Sequence, residues 1–211
     1  MKFLIIDDHA IIRRGMIALL EEHFTDVEVG EAADSKAAMA AVEHEAWDLV
    51  IVDISMPGRS GLELIQDIKQ VRSQLPILVV SSHAEKDYAL RALKLGAAGY
   101  VSKQSAANAL VIAVQRVMAG GRYISSALAE HLAGTMAGDG SSSGASHESL
   151  SNRELMVLRM IASGKTIKEI SAELALSVKT VATYRSRIAE KMGLTTNVEF
   201  ARYAMQHHLV E

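Results

Sequence analysis

The chain has 211 residues, a formal net charge of −3 and no cysteine, so it suits one or two domains and excludes disulfide bonds and thiolate metal sites. No apolar run approaches the ~20 residues of a membrane-spanning helix, and Met1 and Lys2 lead into a predicted strand rather than a signal peptide, so we expect a cytoplasmic protein without a membrane partner. Residues 1–147 carry 13 Lys or Arg against 18 Asp or Glu, and residues 148–211 carry nine against seven, which places any nucleic-acid contact in the second part.

Strand and helix patterns alternate along the first 121 residues. Short apolar runs bounded by turn residues predict strands at residues 3–6, 27–31, 49–52, 77–80 and 99–101. The helical spacing of apolar residues between them predicts helices at residues 10–22, 35–44, 61–71, 86–95 and 106–118. Five βα units predict an α/β fold for residues 1–121, with a doubly wound, five-stranded parallel sheet.

Residues 122–147 are predicted to connect this sheet to a second module. Residues 138–146 read GDGSSSGAS, which offers nothing to bury and favours a flexible tether. One more helix at residues 125–137 is compatible with the sequence and would extend the tether. The alternative interpretation is a surface loop within a single domain, and the complete helical module that follows argues against it.

Residues 148–211 predict an all-α module of four helices. Three capping-box pairs mark helix starts: Ser151 with Glu154, Thr166 with Glu169, and Thr196 with Glu199. Ser177 can cap a further helix at residues 178–192, and Gly164 and Gly193 stand where helices are expected to end. The short connection between helices 167–174 and 178–192 predicts a helix-turn-helix. The predicted core consists of Leu155, Leu158, Ile161, Ile170, Leu174, Val181, Ile188 and Met192.

Charged and hydroxyl side chains follow four of the predicted strands. They are Asp7 with Asp8, Asp53, Ser81 and Lys103. Because the carboxyl ends of parallel strands meet at one edge of a sheet, we expect these side chains to converge. Oxygen ligands in a chain without cysteine favour Mg²⁺, held by Asp7 and Asp8 beside Asp53. The backbone carbonyl of Ile54 or Ser55 would complete the ligand set.

Asp53 stands alone after the middle strand and is the candidate nucleophile toward phosphorus, which would give an aspartyl-phosphate. Lys103 is expected to pair with Asp53 before transfer and with the phosphoryl group after it. Each of these residues also has a plain interpretation as a turn, cap or solvated loop residue. Their order at four strand ends favours the site.

The predicted helix 178–192 carries the polar and cationic side chains expected of a helix that reads DNA. They are Lys179, Thr180, Thr183, Tyr184, Arg185, Ser186, Arg187 and Lys191. Positions 179, 183, 186 and 187 share one face at helical spacing. Short polar side chains there can approach base edges, while Arg and Lys anchor phosphates. We expect contact first from Lys179, Thr183 and Arg187; the alternative is a solvated surface helix in a plain bundle.

Residues 1–121 resemble the receiver domain of bacterial two-component response regulators, through IIDDH (5–9), DISMPGRSG (53–61), VVSSH (79–83) and GAAGYVSK (96–103). The resemblance implies a flavodoxin-like sheet of strand order 2-1-3-4-5 and a sensor histidine kinase that phosphorylates Asp53. The other implied roles are Mg²⁺ ligation by Asp7 and Asp8, a switch hydroxyl at Ser81, an aromatic switch that turns inward at Tyr100, and a phosphate partner at Lys103. Gln104 stands where most receivers have proline, which leaves open the cis peptide bond usual there.

Residues 148–211 resemble a LuxR-type DNA-binding domain, through LSNREL (150–155), GKTIKEI (164–170) and LSVKTVATYRSRIAEKMGL (176–194). With the receiver, the chain resembles a NarL/FixJ-type response regulator. The resemblance implies that helix 178–192 recognises double-stranded DNA and that the last helix, 198–208, forms a homodimer. Phe200, Ala201, Ala204 and Met205 share one side of that helix, and the alternative is that they close the domain core.

The strand-end aspartate is also compatible with a small phosphatase that works through an aspartyl-phosphate. Such an enzyme normally needs a second acid two residues further on, where this chain has Ser55. Phosphotransfer to Asp53 yields a state of the protein and no released product, so we expect no enzyme. The remaining alternative is a DNA-binding regulator with a phosphorylation-independent receiver, and the complete pocket argues against it.

Overall fold

The computed structural model describes residues 1–57, 59–82, 85–104, 107–136, 147–207 and 209–210. The chain forms two compact units, residues 1–137 and 138–211. The tether predicted at residues 138–146 lies outside the described residues. Within the described ranges, every helix is too short or too polar to traverse a bilayer.

A five-stranded parallel sheet forms the centre of the first unit. Its strands are β1 (Lys2–Ile6), β2 (Glu28–Ala32), β3 (Leu49–Val52), β4 (Ile77–Ser81) and β5 (Gly99–Ser102). They pair in the order β2-β1-β3-β4-β5, and every pair is parallel, which confirms the predicted fold and strand order. β1, β3 and β4 are almost wholly buried, as a sheet covered by helices requires.

Six helices accompany the sheet in the described part of the first unit. They are α1 (Ala10–His23), α2 (Ser35–His44), α3 (Gly61–Val71), α4 (Glu85–Lys94), α5 (Ala107–Met118) and α6 (Ser126–Met136). α1 contacts α5, whereas α3 contacts α2 and α4. The core between α1, α5 and the sheet includes Phe3, Leu20, Leu78 and Val114. The helix predicted at residues 125–137 is therefore present as α6, and it belongs to the first unit.

Element ends differ from the predicted ones by one or two residues. β4 and β5 each run one residue further than predicted, because Ser81 and Ser102 pair with each other across the sheet. β2 reaches Ala32 because that residue pairs with Ile6 of β1. Such ends depend on cross-strand hydrogen bonds, which apolar spacing along the chain does not reveal.

Among its described residues, the second unit contains four α-helices after a 3₁₀ turn at His147–Ser149. The helices are α7 (Asn152–Ala162), α8 (Ile167–Glu173), α9 (Val178–Met192) and α10 (Asn197–Gln206). All three predicted capping boxes form, and the Ser177 side chain accepts the backbone N–H of Thr180 at the start of α9. α9 ends at Gly193, whose φ of 63° is left-handed. The predicted helix-turn-helix is formed by α8 and α9.

The core of the second unit contains all eight of the residues predicted for it. Phe200, Ala204 and Leu209 are each 0% exposed and complete this core. The apolar side of α10 therefore packs within the unit, as the alternative interpretation expected. Met205 and Val198, however, remain 57% and 78% exposed, so α10 also keeps an apolar surface.

The start of α3 lies against the end of β3. Ser60 and Glu63 form a capping box at this helix start. The Gly61 N–H donates to the carbonyl of Ile54 at 3.1 Å. A Cβ on Gly61 would lie 2.0 Å from the backbone oxygen of Asp53, so only glycine permits this approach.

Gly61→Ala is expected to destabilise the first unit by about 1–3 kcal/mol, because the added methyl group overlaps the Asp53 backbone. Gly15→Ala is the matched control, since Gly15 lies in α1 with nothing within 4 Å of an added Cβ. That substitution is expected to stabilise by about 0.5–1 kcal/mol. Urea unfolding followed by circular dichroism measures both, and equal effects would contradict the close approach.

Candidate functional site

Side chains at the carboxyl ends of four strands come together in the first unit. Asp7 follows β1 and Asp53 follows β3, and the N–H of Asp53 donates to the carbonyl of Ile6 at 2.8 Å. Lys103 follows β5, and its N–H donates to the carbonyl of Ser81 at 2.8 Å. Asp7 and Asp53 are only 0% and 2% exposed. Parallel pairing thus continues past the strands and sets these residues side by side.

The ammonium group of Lys103 bridges two buried carboxylates. Its Nζ lies 2.6 Å from Asp7 Oδ2 and 2.8 Å from Asp53 Oδ2. Burial raises the pKa of Asp53, and the hydrogen bond from Lys103 acts in the opposite direction. Burial alone would lower the pKa of Lys103, but its hydrogen bonds to Asp53 and Asp7 outweigh this and raise it. The sequence indicates the pairing with Asp53 but not the contact with Asp7.

The same edge of the sheet offers several ligand atoms to a cation. Asp7, Asp8, His9 and Asp53 each place one such atom within 4.8 Å of the others. Asp53 Oδ1 is buried and has no hydrogen-bond partner among the described residues. Asp8 Oδ1 lies 3.0 Å from His9 Nδ1, but without hydrogen-bond geometry, so it too accepts no hydrogen bond from them. Buried anionic oxygens without partners are unfavourable, and a hard divalent cation fits them.

Two further residues support this edge without having been predicted as site residues. His9 donates its backbone N–H to Asp7 Oδ1 at 2.8 Å, and its ring Nδ1 lies 3.2 Å from the same oxygen. The Arg13 guanidinium donates to the backbone carbonyl of Asp7 at 2.6 Å and to Glu31 at 2.9 Å. Both follow the Asp7-Asp8 pair closely in the sequence, which is the signal that points to them.

Ser81 and Tyr100 form a buried pair of hydroxyl groups. Both residues are 0% exposed, and their side chains are hydrogen-bonded to each other. Burial raises the pKa of Tyr100, and the nearby charges of Asp53 and Glu85 raise it further. Tyr100 therefore already faces inward in this structure, next to the pocket.

The segments that flank the pocket contribute backbone groups. The N–H of Ser55 donates to the Asp53 carboxylate and works against the rise in its pKa. The backbone of Ser55 is therefore turned toward Asp53 through its N–H.

The peptide bond between Lys103 and Gln104, which the sequence left open, is trans.

The exposed face of α9 coincides with the predicted one. Lys179, Thr183, Ser186 and Arg187 are all exposed. The hydroxyl groups of Thr183 and Ser186 donate to backbone carbonyls one turn earlier, at 2.9 and 3.1 Å, which leaves their oxygens as acceptors. Thr180 and Tyr184 are half-buried beside this face.

Two other residues predicted on α9 bind within the second unit. The Arg185 Nε donates to Asn197 Oδ1 at 3.1 Å, and its guanidinium lies 5.5 Å from the ring centre of Phe200. The Lys191 Nζ lies 2.6 Å from Glu154 Oε2. These contacts tie α9 to α10 and to α7.

Two family models match the chain. The model described as response regulator receiver domain matches residues 3–115. The model described as bacterial regulatory proteins, luxR family, matches residues 148–204. Together they span both compact units.

Similar proteins align over nearly the full length. Response regulator UvrY of Escherichia coli (strain K12) is 35% identical over 206 residues, covering 98% of this chain and 94% of the relative. Response regulator GacA of Pseudomonas aeruginosa is 34% identical over 210 residues, covering 100% and 98%.

Solved structures of a similar protein also align over nearly the full length. The RcsB response regulator of Salmonella typhimurium has a TM-score of 0.62 at 28% identity, covering 97% of this chain and 99% of that one. RcsB from Salmonella enterica serovar Typhimurium, bound to a promoter in the presence of phosphomimetic BeF3−, has a TM-score of 0.61 at 29% identity, covering 96% and 97%.

Glu154→Gln is expected to lower the stability of the second unit by about 1–2 kcal/mol at pH 7, because it removes a charge-assisted hydrogen bond. Burial raises the pKa of Glu154, but Lys191 and Ser151 outweigh it and hold that pKa below 4.5. Such a group stabilises the fold at pH values above 4.5 and loses this contribution as the pH falls through the lowered value.

Thermal unfolding between pH 7 and pH 3 measures this contribution. The wild type should lose more stability than Glu154→Gln as the pH falls below about 4.5, because only the wild type has this carboxylate to protonate. Glu190→Gln, at an exposed position of α9, is the control and should resemble the wild type. Parallel curves for wild type and Glu154→Gln would contradict the role of the ion pair.

Proposed function

This chain belongs to the NarL/FixJ-type response regulators of two-component systems, and we propose that phosphorylation of Asp53 by a sensor histidine kinase controls its binding to DNA. One observation carries the proposal. Two buried carboxylates, Asp7 and Asp53, share the Lys103 ammonium at the ends of adjacent parallel strands. A buried carboxylate beside a fixed cation suits phosphoryl transfer to an aspartate.

Asp53 is the proposed nucleophile. Lys103 engages its Oδ2, whereas Oδ1 has no hydrogen-bond partner among the described residues. A carboxylate oxygen attacks the phosphorus of the kinase phosphohistidine, so that an O–P bond forms while the P–N bond breaks. The Lys103 ammonium then pairs with the phosphoryl oxygens. Because the product is a state of the protein and no turnover product leaves, we propose that the chain is a regulator and no enzyme.

Mg²⁺ is the proposed cofactor. The carboxylates of Asp7, Asp8 and Asp53 would hold it, together with the backbone carbonyl of Ser55. One oxygen each of Asp8 and Asp53 accepts no hydrogen bond from the described residues. This supports the assignment, because Mg²⁺ prefers oxygen ligands and combines few carboxylates with phosphate oxygens. When bound, the ion offsets negative charge on the carboxylates and on the transferring group.

Ser81 and Tyr100 are the proposed switch. Phosphorylation adds about two negative charges to the pocket. The Ser81 hydroxyl, which is now hydrogen-bonded to Tyr100, would turn to the phosphoryl oxygens. Tyr100 would then lose this partner, so the packing around β5 has a second arrangement that depends on the phosphoryl group.

α9 is the proposed DNA-recognition helix. The promoter-bound structure of the similar protein RcsB supports DNA binding by this chain, and the exposed polar face of α9 supports the choice of helix. Its exposed residues Lys179, Thr183, Ser186 and Arg187 would face the major groove, with Thr180 and Tyr184 at the edge. Arg185 and Lys191 are assigned to positioning α9, because their cationic groups are bound to residues of the same unit.

A homodimer on double-stranded DNA is the proposed assembly. The apolar surface that α10 leaves open, with Val198 and Met205, would join two second units, and the two α9 helices would then read a two-fold site. A cytoplasmic location is proposed as well, because the proposed DNA target lies there.

Asp53→Asn is expected to abolish labelling by acetyl phosphate and Mg²⁺ and the gain in DNA affinity that follows it, because asparagine lacks the nucleophilic carboxylate. Asp26→Asn is the matched control, an exposed turn position with φ 55° that asparagine tolerates. Phos-tag gels measure labelling, and fluorescence anisotropy with DNA fragments selected from genomic DNA measures affinity. A gain in affinity retained by Asp53→Asn would favour the phosphorylation-independent regulator.

Arg187→Ala is expected to weaken DNA binding and to reduce the slope of log affinity against log salt by about 1, as loss of one phosphate contact does. Arg185→Ala is the counterpart, since its guanidinium is bound within the unit. It should lower the melting temperature of the second unit and leave the slope unchanged. Anisotropy titrations between 50 and 200 mM salt, about the range in which such slopes are resolved, test this; a reversed pattern would refute the assignment.

A further inference from the structure

We infer that Glu85 and Ser125 act as positioning residues that carry the state of the Asp53 pocket to helix α6. The hydrogen bond between them is called the α6 latch below. The inference rests on the proposed phosphorylation of Asp53 and goes beyond it, because it names the path by which the pocket reaches the segment leading to the second unit.

The latch joins the starts of two helices through one hydroxyl group. Ser125 Oγ donates to Glu85 Oε2 at 2.6 Å. The same Oγ accepts the backbone N–H of Leu128 at 3.0 Å, which makes Ser125 the cap of α6. Glu85 is the first residue of α4. The side chain that caps α6 therefore also ties it to α4.

A second attachment joins the lead of α6 to β5. The N–H of Tyr123 donates to the carbonyl of Ala98 at 2.9 Å, and the N–H of Tyr100 approaches the carbonyl of Tyr123 at 3.4 Å. A Cβ on Gly99 would lie 2.7 Å from the Tyr123 oxygen, so this contact depends on glycine. The chain that enters α6 thus pairs with the strand that carries Tyr100.

Tyr100 links both attachments to the pocket. Its hydroxyl is hydrogen-bonded to Ser81 and lies within the electrostatic influence of both Asp53 and Glu85. Its own backbone N–H reaches Tyr123. A change at Ser81 therefore acts on Tyr100 and, through it, on the strand edge and the carboxylate that hold α6.

The latch is only partly satisfied in this structure. Glu85 Oε1 is buried and lacks a hydrogen-bond partner among the described residues, which is unfavourable for a carboxylate oxygen. Leu128, by contrast, is 2% exposed and anchors α6 by apolar packing. Helix α6 is thus anchored by Leu128, and its start is tied to the incompletely paired carboxylate of Glu85 in α4. This combination is suited to two arrangements, one with the latch closed and one with it open.

Hydrogen exchange of the full-length chain tests the inference at the backbone amides of α6. Acetyl phosphate with Mg²⁺ should speed exchange at residues 126–136 of the wild type, because phosphorylation opens the latch. Glu85→Ala should show exchange about tenfold faster or more without phosphate, as loss of a hydrogen bond to a carboxylate predicts. It removes the latch but leaves the Ser125 cap in place. Its α6 should then no longer respond to phosphorylation.

Two variants act as controls. Ser126→Ala changes the neighbouring exposed serine and should respond to phosphorylation like the wild type. Ser125→Thr keeps a hydroxyl group that can both cap α6 and donate to Glu85, so it should retain the wild-type response. Intact mass spectrometry confirms uptake of phosphate in each variant.

The outcomes separate this inference from the proposed function. A wild type that takes up phosphate while exchange in α6 stays unchanged overturns the latch and leaves the proposed function standing. Glu85→Ala with the exchange and response of the wild type also overturns the latch. A wild type that takes up no phosphate overturns the proposed function itself.

Discussion

The Lys103 ammonium between the carboxylates of Asp7 and Asp53 is the interaction on which the receiver pocket depends. Both carboxylates are almost fully buried, and the parallel sheet holds them together, so without a cation they would repel each other or become protonated. A single ammonium compensates two negative charges only in part. The pocket therefore retains a net negative charge, and some of its carboxylate oxygens accept no hydrogen bond from the part of the chain that the structure describes. A divalent cation and a phosphoryl group together can use both features.

The cationic side chains of α9 fall into two groups, those bound to other residues of the second unit and those exposed to solvent, and this difference decides what each can do. Lys191 is held by the buried carboxylate of Glu154, and Arg185 is held at the start of α10. These contacts orient α9: the charge of Lys191 is compensated by Glu154, and the guanidinium of Arg185 is hydrogen-bonded to Asn197. Lys179 and Arg187 are exposed on one face and remain open to phosphates. The same residue types thus fix the position of α9 on one side and form the proposed DNA-binding surface on the other.

Helix α6 is the element through which we propose that the two functions of the chain are coupled. It belongs to the compact unit of the receiver, and it is held there by β5 and by Glu85 of α4. Both attachments lie close to Tyr100, which is hydrogen-bonded to Ser81. In the proposed mechanism, a small rearrangement in the pocket would therefore reach the start of α6 through these two attachments.

The sequence alone determined what is local or periodic. Apolar spacing predicted the five strands and the helices, capping boxes predicted the starts of α7, α8 and α10, and the residues at strand ends predicted which side chains gather. The strands, the helices and their starts depend on neighbours a few residues apart, and the gathering of the strand-end residues follows from the rule that parallel strands share one carboxyl edge. Only the tertiary structure decided that Lys103 also binds Asp7, that Arg185 and Lys191 bind within the unit, and that Ser125 joins Glu85. Such partners lie 96, 12, 37 and 40 residues apart along the chain, and a contact at that separation depends on packing, which no local pattern encodes.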